Sequence, residues 1–375
     1  MKPSPRKTTP GKTALGKTAL GKTALGKMAL GKAALRKASP RAEPVNGPLL
    51  EIEDLVVDFA TDEGVVRAVD GAGYAVAPGE TLGVVGESGS GKSVTAMSAL
   101  GLIKPPGRVV SGRVVFDGVD LRTLSPRELR RLRGGRIAMI FQDPMTALNP
   151  VMSIGAQLSE ALRLHRPDLS RRGARDRAAE LLSLVGVPGA RRRLRQYPHE
   201  FSGGMRQRAM IAMAMANDPD LLIADEPTTA LDVTVQAQVL DLLRLTRRET
   251  GAATVLITHD LGVVAEMADR VVVMYAGRVV EHGPVAAIFG APRHPYTRGL
   301  LRSLPRLDDD SEELTPIPGS PPGPGETAAG CPFAPRCPMA RDLCREERPE
   351  PAVTGPGRAS ACHFHHELAE EDGDD

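Results

Sequence analysis

The sequence predicts an α/β fold with a mostly parallel β-sheet, an antiparallel β edge and a helical insertion. Three observations predict it. The apolar run at residues 81–85 leads through a glycine-rich loop into a helical pattern, which is the order of a strand–loop–helix unit. Short apolar runs return at 221–224 and 254–258 with a helix between them, as in strands buried on both faces. Residues 145–215 carry helical patterning and predict the insertion.

The antiparallel edge is predicted ahead of the glycine-rich loop. Residues 50–59 and 65–69 have the composition of strands, and the turn at 61–64 joins them. Residues 113–116 and 136–141 are further strand candidates. The sequence therefore predicts a second, antiparallel group of strands beside the parallel core.

The domain boundaries follow from shifts in composition along the 375 residues. We expect a basic low-complexity tail at 1–47, a main domain at 48–290, a C-terminal extension at 291–366 and an acidic tail at 367–375. Proline and acidic residues increase between 304 and 325, which indicates a linker to a small cysteine-containing unit. No stretch approaches about 18 uninterrupted apolar residues, and no signal-peptide core is recognisable, so neither a membrane span nor export is expected.

The basic tail accounts for the positive charge of the chain. Residues 1–42 contain eleven Lys and Arg and no Asp or Glu, whereas the whole chain has a formal charge of only +2. The tail repeats Gly-Lys-Thr-Ala-Leu every five residues, which spreads the lysines around a helix and favours a flexible extension. Solvated disorder and attraction to anionic lipid or nucleic acid stay open for the tail, but nucleic acid is not an expected partner of the acidic remainder.

The glycine-rich loop has the pattern G-x-x-x-x-G-K-[S/T], and we call it the phosphate loop. Its residues are Gly86, Glu87, Ser88, Gly89, Ser90, Gly91, Lys92 and Ser93. Glycines let backbone N–H groups converge on phosphate oxygens, and the following helix N-terminus adds partial positive charge. Lys92 is expected to reach the β- and γ-phosphates, and the Ser93 hydroxyl is expected to ligate Mg²⁺. The alternative, a Gly/Ser-rich surface turn, is disfavoured by the flanking strand and helix.

Lysine usage supports this interpretation of Lys92. Beyond residue 42 the chain has 35 Arg and only two Lys, Lys92 and Lys104. A compact ammonium fits among phosphates where a planar guanidinium does not, so a chain that otherwise uses Arg has a reason to keep Lys here.

Two carboxylates end the apolar run at 221–224. Asp225 and Glu226 would stand at the carboxyl end of a strand, where open α/β sheets bind ligands. Asp225 is expected to hold Mg²⁺ through water, and Glu226 is expected to polarise the water that attacks the γ-phosphate. An ordinary strand-to-turn junction would have the same residues, but their position about 130 residues after the phosphate loop favours a nucleotide site.

A second candidate anion site consists of Ser202, Gly203 and Gly204, at the start of a helix predicted over 205–216. We call these three residues the signature turn. A plain helix N-cap is the alternative. Two anion sites for one nucleotide suggest that each closes over a nucleotide held by a different chain.

Together these motifs resemble the ATP-binding subunit of an ABC transporter, with residues 49–290 spanning the ATPase cassette. The resemblance implies hydrolysis of ATP to ADP and phosphate, with Gln142 touching Mg²⁺ and His259 contacting the γ-phosphate. It also implies that Asp232 lies in a loop communicating across a dimer and that Phe59 stacks on adenine. From the residues alone, His259 is an ordinary strand-end histidine and Phe59 is equally a core residue of the edge strand.

Local stretches are similar to the dipeptide/oligopeptide and nickel permease ATPases. They are residues 141–150, beginning Phe141-Gln142-Asp143-Pro144, and His294-Pro295-Tyr296-Thr297. Phe201 and Met205, which flank the signature turn in place of the family's usual Leu and Gln, match the variant in peptide importers. By itself the stretch at 294–297 is a turn before a helix predicted over 298–304.

This branch implies an importer of di- or oligopeptides, or of a related solute such as nickel, at the cytoplasmic face of the membrane. The implied partners are a second ATPase subunit, expected to be a paralogue, two transmembrane permease subunits and an extracytoplasmic solute-binding protein. A soluble ATPase acting on nucleic acid or ribosomes is the rival. The single cassette and the 59 residues between Gln142 and Ser202 disfavour it.

The four cysteines form a late cluster with the spacing C-x₅-C-x₆-C-x₁₇-C, at Cys331, Cys337, Cys344 and Cys362. The pattern lacks the paired C-x₂-C halves of a zinc ribbon. Uneven spacing through proline-rich loops suits a [4Fe–4S] cluster, and the resemblance supports one, because related peptide-permease ATPases carry such a cluster here. Zinc, with nearby histidines, and unliganded thiols are the alternatives. As the cluster's role we favour a structural clip over redox sensing.

Overall fold

The structure is a computed structural model that describes residues 47–229, 233–303, 316–323 and 329–368. The predictions made for residues 1–46, for Asp232 and for residues 369–375 lie outside the described residues, as does most of the predicted linker. The described residues all belong to one compact unit, Val45–Asp375.

The described strands form two sheets. Their bounds are β1 Leu50–Thr61, β2 Gly64–Val76, β3 Thr81–Val85, β4 Gly107–Phe116, β5 Val119–Asp120, β6 Ile137–Ile140, β7 Leu221–Asp225, β8 Ala253–Ile257, β9 Arg270–Tyr275, β10 Arg278–Pro284, β11 Ala352–Gly355 and β12 Arg358–Ser360.

The larger sheet has the order β11-β12-β10-β9-β3-β8-β7-β6, and the smaller has the order β2-β1-β4-β5. All pairs from β9 through β3, β8 and β7 to β6 are parallel, and the smaller sheet is antiparallel throughout. The predicted fold class, a mostly parallel core with an antiparallel edge, is confirmed.

The parallel strands are buried on both faces, which explains their continuous apolar sequence. In β7, Leu222 and Ala224 pack against the helices of the insertion, whereas Leu221 and Ile223 pack against the core under the antiparallel sheet. Side chains alternate between the faces of a strand, so a single five-residue run contributes to two cores.

The helices fill the connections between strands. Their bounds are α1 Lys92–Ala99, α2 Pro126–Leu132, α3 Pro144–Ala147, α4 Ile154–His165, α5 Arg171–Leu184, α6 Ala190–Arg193, α7 Gly203–Met215, α8 Val233–Thr250, α9 Leu261–Met267, α10 Val285–Gly290, α11 Pro295–Arg302 and α12 Asp342–Glu346, with 3₁₀ turns at Leu121–Thr123, Pro198–Glu200 and Ala334–Arg336. Among the described residues, no helix is both long and apolar enough to cross a membrane.

The insertion between β6 and β7 holds α3 to α7. Serines cap three of these helices: the Oγ atoms of Ser153, Ser170 and Ser202 accept hydrogen bonds from backbone N–H groups in the first turn. Two helix starts were predicted too late. Helix α7 begins at Gly203 because Ser202 caps it, and α11 begins at Pro295 because the His294 side chain accepts a hydrogen bond from Tyr296 N–H.

The C-terminal cysteine-containing segment joins the main sheet, which the sequence did not predict. Strand β12 pairs with β10, and β11 pairs with β12. Phe333 packs in the same core as Val85 and Tyr275, next to the phosphate loop. The extension is therefore built onto the edge of the sheet that carries the candidate site.

Candidate functional site

The phosphate loop connects β3 to α1 along a path that only glycine fits. Gly86 has φ of 149°, and a Cβ there would lie 2.1 Å from the Met274 carbonyl oxygen. Gly91 has φ of 96°, and its Cβ would lie 2.7 Å from the Ala68 carbonyl oxygen. Both positions need a left-handed backbone and close approach to a neighbouring strand. The loop geometry thus depends on glycine at the sequence positions that the motif specifies.

Lys92 lies at the centre of the loop, with 5% of its surface exposed. Its Nζ donates hydrogen bonds to the carbonyl oxygens of Gly86 and Glu87, both at 2.8 Å, and to Ser90 Oγ at 3.3 Å. Burial lowers the pKa of Lys92, and nearby carboxylates oppose that shift. The ammonium is therefore held where phosphate oxygens would approach the loop.

Ser93 connects the loop to the end of β7. Its Oγ donates to Asp225 Oδ1 at 2.8 Å, and the Asp225 side chain is buried. Burial raises the pKa of Asp225, while the hydrogen bond from Ser93 lowers it. A hydroxyl and a carboxylate are the hard oxygen ligands that Mg²⁺ prefers, and Mg²⁺ sites commonly use few protein ligands plus phosphate and water. The donor set fits a magnesium ion.

Glu226 is contacted by three side chains, two of which, Gln142 and His259, belong to the predicted site. Its Oε2 accepts a hydrogen bond from Gln142 Nε2 at 3.1 Å and lies 3.7 Å from His259 Nδ1. Thr229 Oγ1 also donates to Glu226 Oε2, at 2.8 Å. Gln142 follows β6 and His259 follows β8, so the carboxyl ends of parallel strands bring these residues together.

The backbone of Glu226 is strained in a way typical of functional sites. Its φ of 45° lies in the left-handed region, and its N–H donates to the Ile257 carbonyl oxygen at 2.9 Å. The bond to β8 fixes the turn after β7 and directs the carboxylate towards Gln142. The structure brings the predicted residues Glu226, Gln142 and His259 together, and it adds Thr229, which the sequence did not single out although it lies three residues after Glu226.

The signature turn lies on the insertion. Ser202 and Gly203 are exposed, and Met205 N–H donates to Ser202 Oγ at 3.4 Å, as in a helix N-cap. A Cβ on Gly203 would meet nothing within 4 Å, while one on Gly204 would approach Val235. Within the described ranges, the hydrogen bonds of the turn are local to α7, and none reaches the phosphate loop.

Phe59 lies in β1 of the antiparallel sheet and is half-buried. A Cβ on Gly107 in β4 would lie 2.5 Å from the Phe59 ring, so the ring covers that glycine. Phe59 also packs against the core beneath the sheet. This placement is compatible with both interpretations of the residue, and Asp232 is outside the described residues.

The four cysteines line one pocket together with aromatic and apolar side chains. All four are free thiols. Burial raises the pKa of Cys337 to about 11 and of Cys362 to about 12. Among the described residues, no group of three or more His, Cys, Asp or Glu side chains is arranged as a metal site. The four thiols border one pocket, and soft thiolate donors fit an iron–sulfur cluster in chemistry, but the positions of these thiols do not define a metal site.

The phosphate loop has a further set of contacts that sequence reasoning missed. The Glu87 N–H donates to Tyr296 Oη at 2.8 Å, and the Glu87 carboxylate pairs with the Arg336 guanidinium at 2.6 and 3.0 Å. Both partners belong to the C-terminal extension. No local pattern could have indicated them, since Arg336 lies 249 residues from Glu87.

Two protein-family models match the chain. The ABC transporter family matches residues 69–229, and the oligopeptide/dipeptide transporter C-terminal region matches residues 280–344. Curated relatives include a peptide import ATP-binding protein of Brucella abortus, 56% identical over 315 residues that cover 84% of this chain and 94% of that protein. The dipeptide transport ATP-binding protein of Bacillus subtilis is 51% identical over 323 residues, covering 86% of this chain and 96% of that protein.

Solved structures resemble the cassette part. A dimeric ATP-binding cassette in a post-hydrolysis state, bound to ADP and Pi, has a TM-score of 0.57 and 27% identity. The alignment covers 63% of this chain and 98% of that chain. A second dimeric structure of the same cassette, which is a bacterial ABC transporter cassette, has a TM-score of 0.56 and 27% identity, and its alignment covers the same shares of the two chains.

Proposed function

The chain belongs to the ABC transporter ATPases of the oligopeptide/dipeptide branch, and we propose that it powers the uptake of di- or oligopeptides across the cytoplasmic membrane. ATP hydrolysis is the reaction of this family. Nickel or a related solute is the alternative cargo. The observation that carries the ATPase reaction is the hydrogen-bonded set formed by Ser93 with Asp225 and by Glu226 with Gln142 and Thr229. The peptide cargo rests on the match of residues 280–344 to the oligopeptide/dipeptide transporter C-terminal region.

In the proposed reaction, Lys92 and the phosphate-loop N–H groups bind the β- and γ-phosphates. Ser93, Asp225 and Gln142 would hold Mg²⁺, which supplies neutralisation of the phosphate charge when bound. Glu226 orients and polarises the attacking water, and its hydrogen bonds from Gln142 and Thr229 fix the carboxylate for that task.

Two further side chains complete the proposed nucleotide contacts. His259 contacts the γ-phosphate; it is 64% exposed and 3.7 Å from Glu226, so it is open to a ligand on that side. Phe59 stacks on the adenine. Asp232 is retained as a residue of the loop that communicates between subunits.

A second ATPase subunit completes the site. We propose that its phosphate loop receives the signature turn of this chain, Ser202, Gly203 and Gly204, and that the second subunit supplies its own signature turn in return. The exposure of Ser202 and Gly203 supports this exchange. The relatives' printed names do not give the stoichiometry, and a paralogue is the expected partner.

The membrane partners are two permease subunits, served by an extracytoplasmic solute-binding protein, with this chain peripheral at the cytoplasmic face. The insertion beside Gln142 is the proposed docking region. Two apolar side chains there, Met145 and Val151, are 53% and 80% exposed, which supports contact with another subunit.

The cysteine pocket is proposed to hold a [4Fe–4S] cluster that acts as a structural clip, with residues 291–366 as a distinct extension of the cassette at 48–290. Four thiols on one apolar pocket support it. Protein purified anaerobically should be brown and contain about four irons per chain. Colourless protein with stoichiometric zinc, or with no metal, would remove the cluster.

Transport itself is tested with the whole complex in proteoliposomes. Peptide uptake should require ATP on the side of the membrane that the ATPase subunits face, which is the side into which the peptide is moved. It should stop with the Glu226→Gln variant of this chain. Nickel uptake under the same conditions distinguishes the alternative cargo. A complex that hydrolyses ATP without moving either solute would contradict the proposed function.

A further inference from the structure

Glu87 is the residue through which the C-terminal extension contacts the phosphate loop. Its carbonyl oxygen accepts a hydrogen bond from Lys92 Nζ at 2.8 Å. Its N–H donates to Tyr296 Oη at 2.8 Å, and its carboxylate accepts two hydrogen bonds from Arg336. One residue therefore holds the loop lysine on one side and two residues of the extension on the other.

Arg336 is built into the extension with little freedom to move. Its side chain is 5% exposed, and its Nε donates to the Pro318 carbonyl oxygen at 2.9 Å. Nη1 also lies 3.4 Å from Tyr275 Oη. A guanidinium fixed in this way presents a planar pair of donors, the geometry that matches a carboxylate on two points.

An aromatic cluster packs around Arg336 and Tyr296 and fixes their positions relative to each other. The rings of Tyr275 and Tyr296 are 4.6 Å apart, and each lies 5.3 Å from the ring of Phe333. Tyr275 ends β9, which pairs directly with β3 ahead of the phosphate loop. The extension therefore contacts the loop through packed side chains as well as through the ion pair.

The charge of Glu87 makes this contact relevant to ligand binding. A carboxylate at the second position of a loop that receives a polyanionic ligand repels that ligand, and Glu87 is close enough to interact electrostatically with Lys92. The Arg336 guanidinium compensates that negative charge and fixes the carboxylate through two hydrogen bonds. Without it, an unpaired carboxylate would remain beside the phosphate site.

We propose that Arg336 is a positioning residue for ATP binding, which acts through Glu87 to neutralise and orient the phosphate loop, with Tyr296 as its second support. ATP affinity then depends on the C-terminal extension. The proposal rests on the proposed function in one respect, because it requires that the phosphate loop binds ATP.

The test measures ATP affinity of the purified full chain by calorimetric titration, independently of hydrolysis. Arg336→Gln should weaken ATP binding by about tenfold, within the range of about 5- to 150-fold usual for coupling between sites. In a Glu87→Gln background the same substitution should have little effect, because no carboxylate remains to be neutralised. Tyr296→Phe, which removes one oxygen, should weaken binding by about threefold.

Arg358→Gln is the matched control. Arg358 is also a buried arginine of the extension, paired with buried Glu281 at 2.9 Å, but it contacts no residue of the phosphate loop within the described residues. It should lower the melting temperature and leave ATP affinity unchanged. Arg336→Lys keeps the positive charge but loses the planar pair of donors, so it should bind ATP with intermediate affinity. This variant replaces Arg336→Gln in the test if Arg336→Gln does not fold.

The outcomes separate this inference from the proposed function. Wild-type protein that fails to bind ATP would contradict the nucleotide site itself. Wild-type binding that Lys92→Ala abolishes, together with unchanged affinity in the Arg336 variants, would overturn the positioning role alone. Equal loss in Arg336→Gln and Arg358→Gln would also overturn it, because it would reduce Arg336 to a contributor to stability.

Discussion

The phosphate loop and the signature turn are both glycine-containing helix starts, yet their surroundings differ. Lys92 is buried in the phosphate loop, and Ser93 is hydrogen-bonded to Asp225 across the sheet. Ser202 and Gly203 are exposed, and Ser202 contacts its own helix. One site is assembled within the chain, and the other presents its backbone outward. The difference supports the proposal that this chain holds one half of a nucleotide site around its phosphate loop and supplies the other half of a second site to a partner.

The largest effect should come from removing the negative charge of Glu226, in the site that is assembled within this chain. Glu226→Gln keeps the shape of the side chain and its bond from Thr229 but loses the carboxylate that polarises water. Hydrolysis by the complex should fall by about 10²- to 10⁴-fold, the usual contribution of a general base. ATP binding, measured by titration, should persist.

Near-normal turnover in Glu226→Gln would show that this residue is not catalytic. It would also weaken the contrast between the phosphate-loop site, which is assembled within the chain, and the signature turn. Loss of ATP binding together with turnover would instead assign Glu226 to ligand affinity.

A smaller effect should follow on the outward side. Ser202→Ala removes the hydroxyl that we propose for the partner's nucleotide, so hydrolysis by the complex should fall by about tenfold or more. The loss of the helix cap should cost about 1 kcal/mol of unfolding free energy. ATP affinity of the isolated chain should not change, since the turn does not contact its own phosphate loop within the described residues.

Ser170→Ala is the control for the cap. Ser170 caps α5 in the same insertion, with Gly173 N–H donating to its Oγ at 3.1 Å. It should cause a similar loss of stability with full hydrolysis. An equal drop in hydrolysis for both variants would mean that Ser202 acts only as a helix cap. The proposed role of the signature turn at the partner's nucleotide would then be wrong.

The smallest effect should come from Thr229, which contacts Glu226 in the site assembled within this chain. Thr229→Val removes one hydrogen bond to Glu226, so kcat should fall by about three- to tenfold, the range expected from a single hydrogen bond. KM for ATP should stay close to that of the wild type, because Thr229 positions the carboxylate and not the phosphates. A rise in KM with unchanged kcat would place Thr229 in nucleotide binding instead.

The sequence predicted those parts of the fold and site that depend on local order. Lys92, Ser93 and Asp225 could be found because a glycine-rich loop between a strand and a helix, followed by a strand ending in carboxylates, has a recognisable pattern. Strands β11 and β12 were missed because they have four and three residues, too few for an alternation signal.

Contacts between distant parts of the chain were also beyond the sequence. The Arg336–Glu87 pair joins two segments whose local patterns are unrelated, and only the packing of the extension on β10 brings them together. Thr229 had a local position next to Glu226, but whether its hydroxyl faces the carboxylate depends on the strained turn after β7.

The central claim is that the phosphate loop and the signature turn of this chain serve two different nucleotides. It is tested in the complex purified with its second ATPase subunit, by labelling with a photoreactive ATP analogue and assigning the label to each subunit by mass spectrometry. Lys92→Ala should remove the label from this chain. Ser202→Glu, which places a negative charge on the turn, should leave this chain labelled and reduce the label on the second subunit. Loss of this chain's own label in Ser202→Glu, with the second subunit still labelled, would contradict the account.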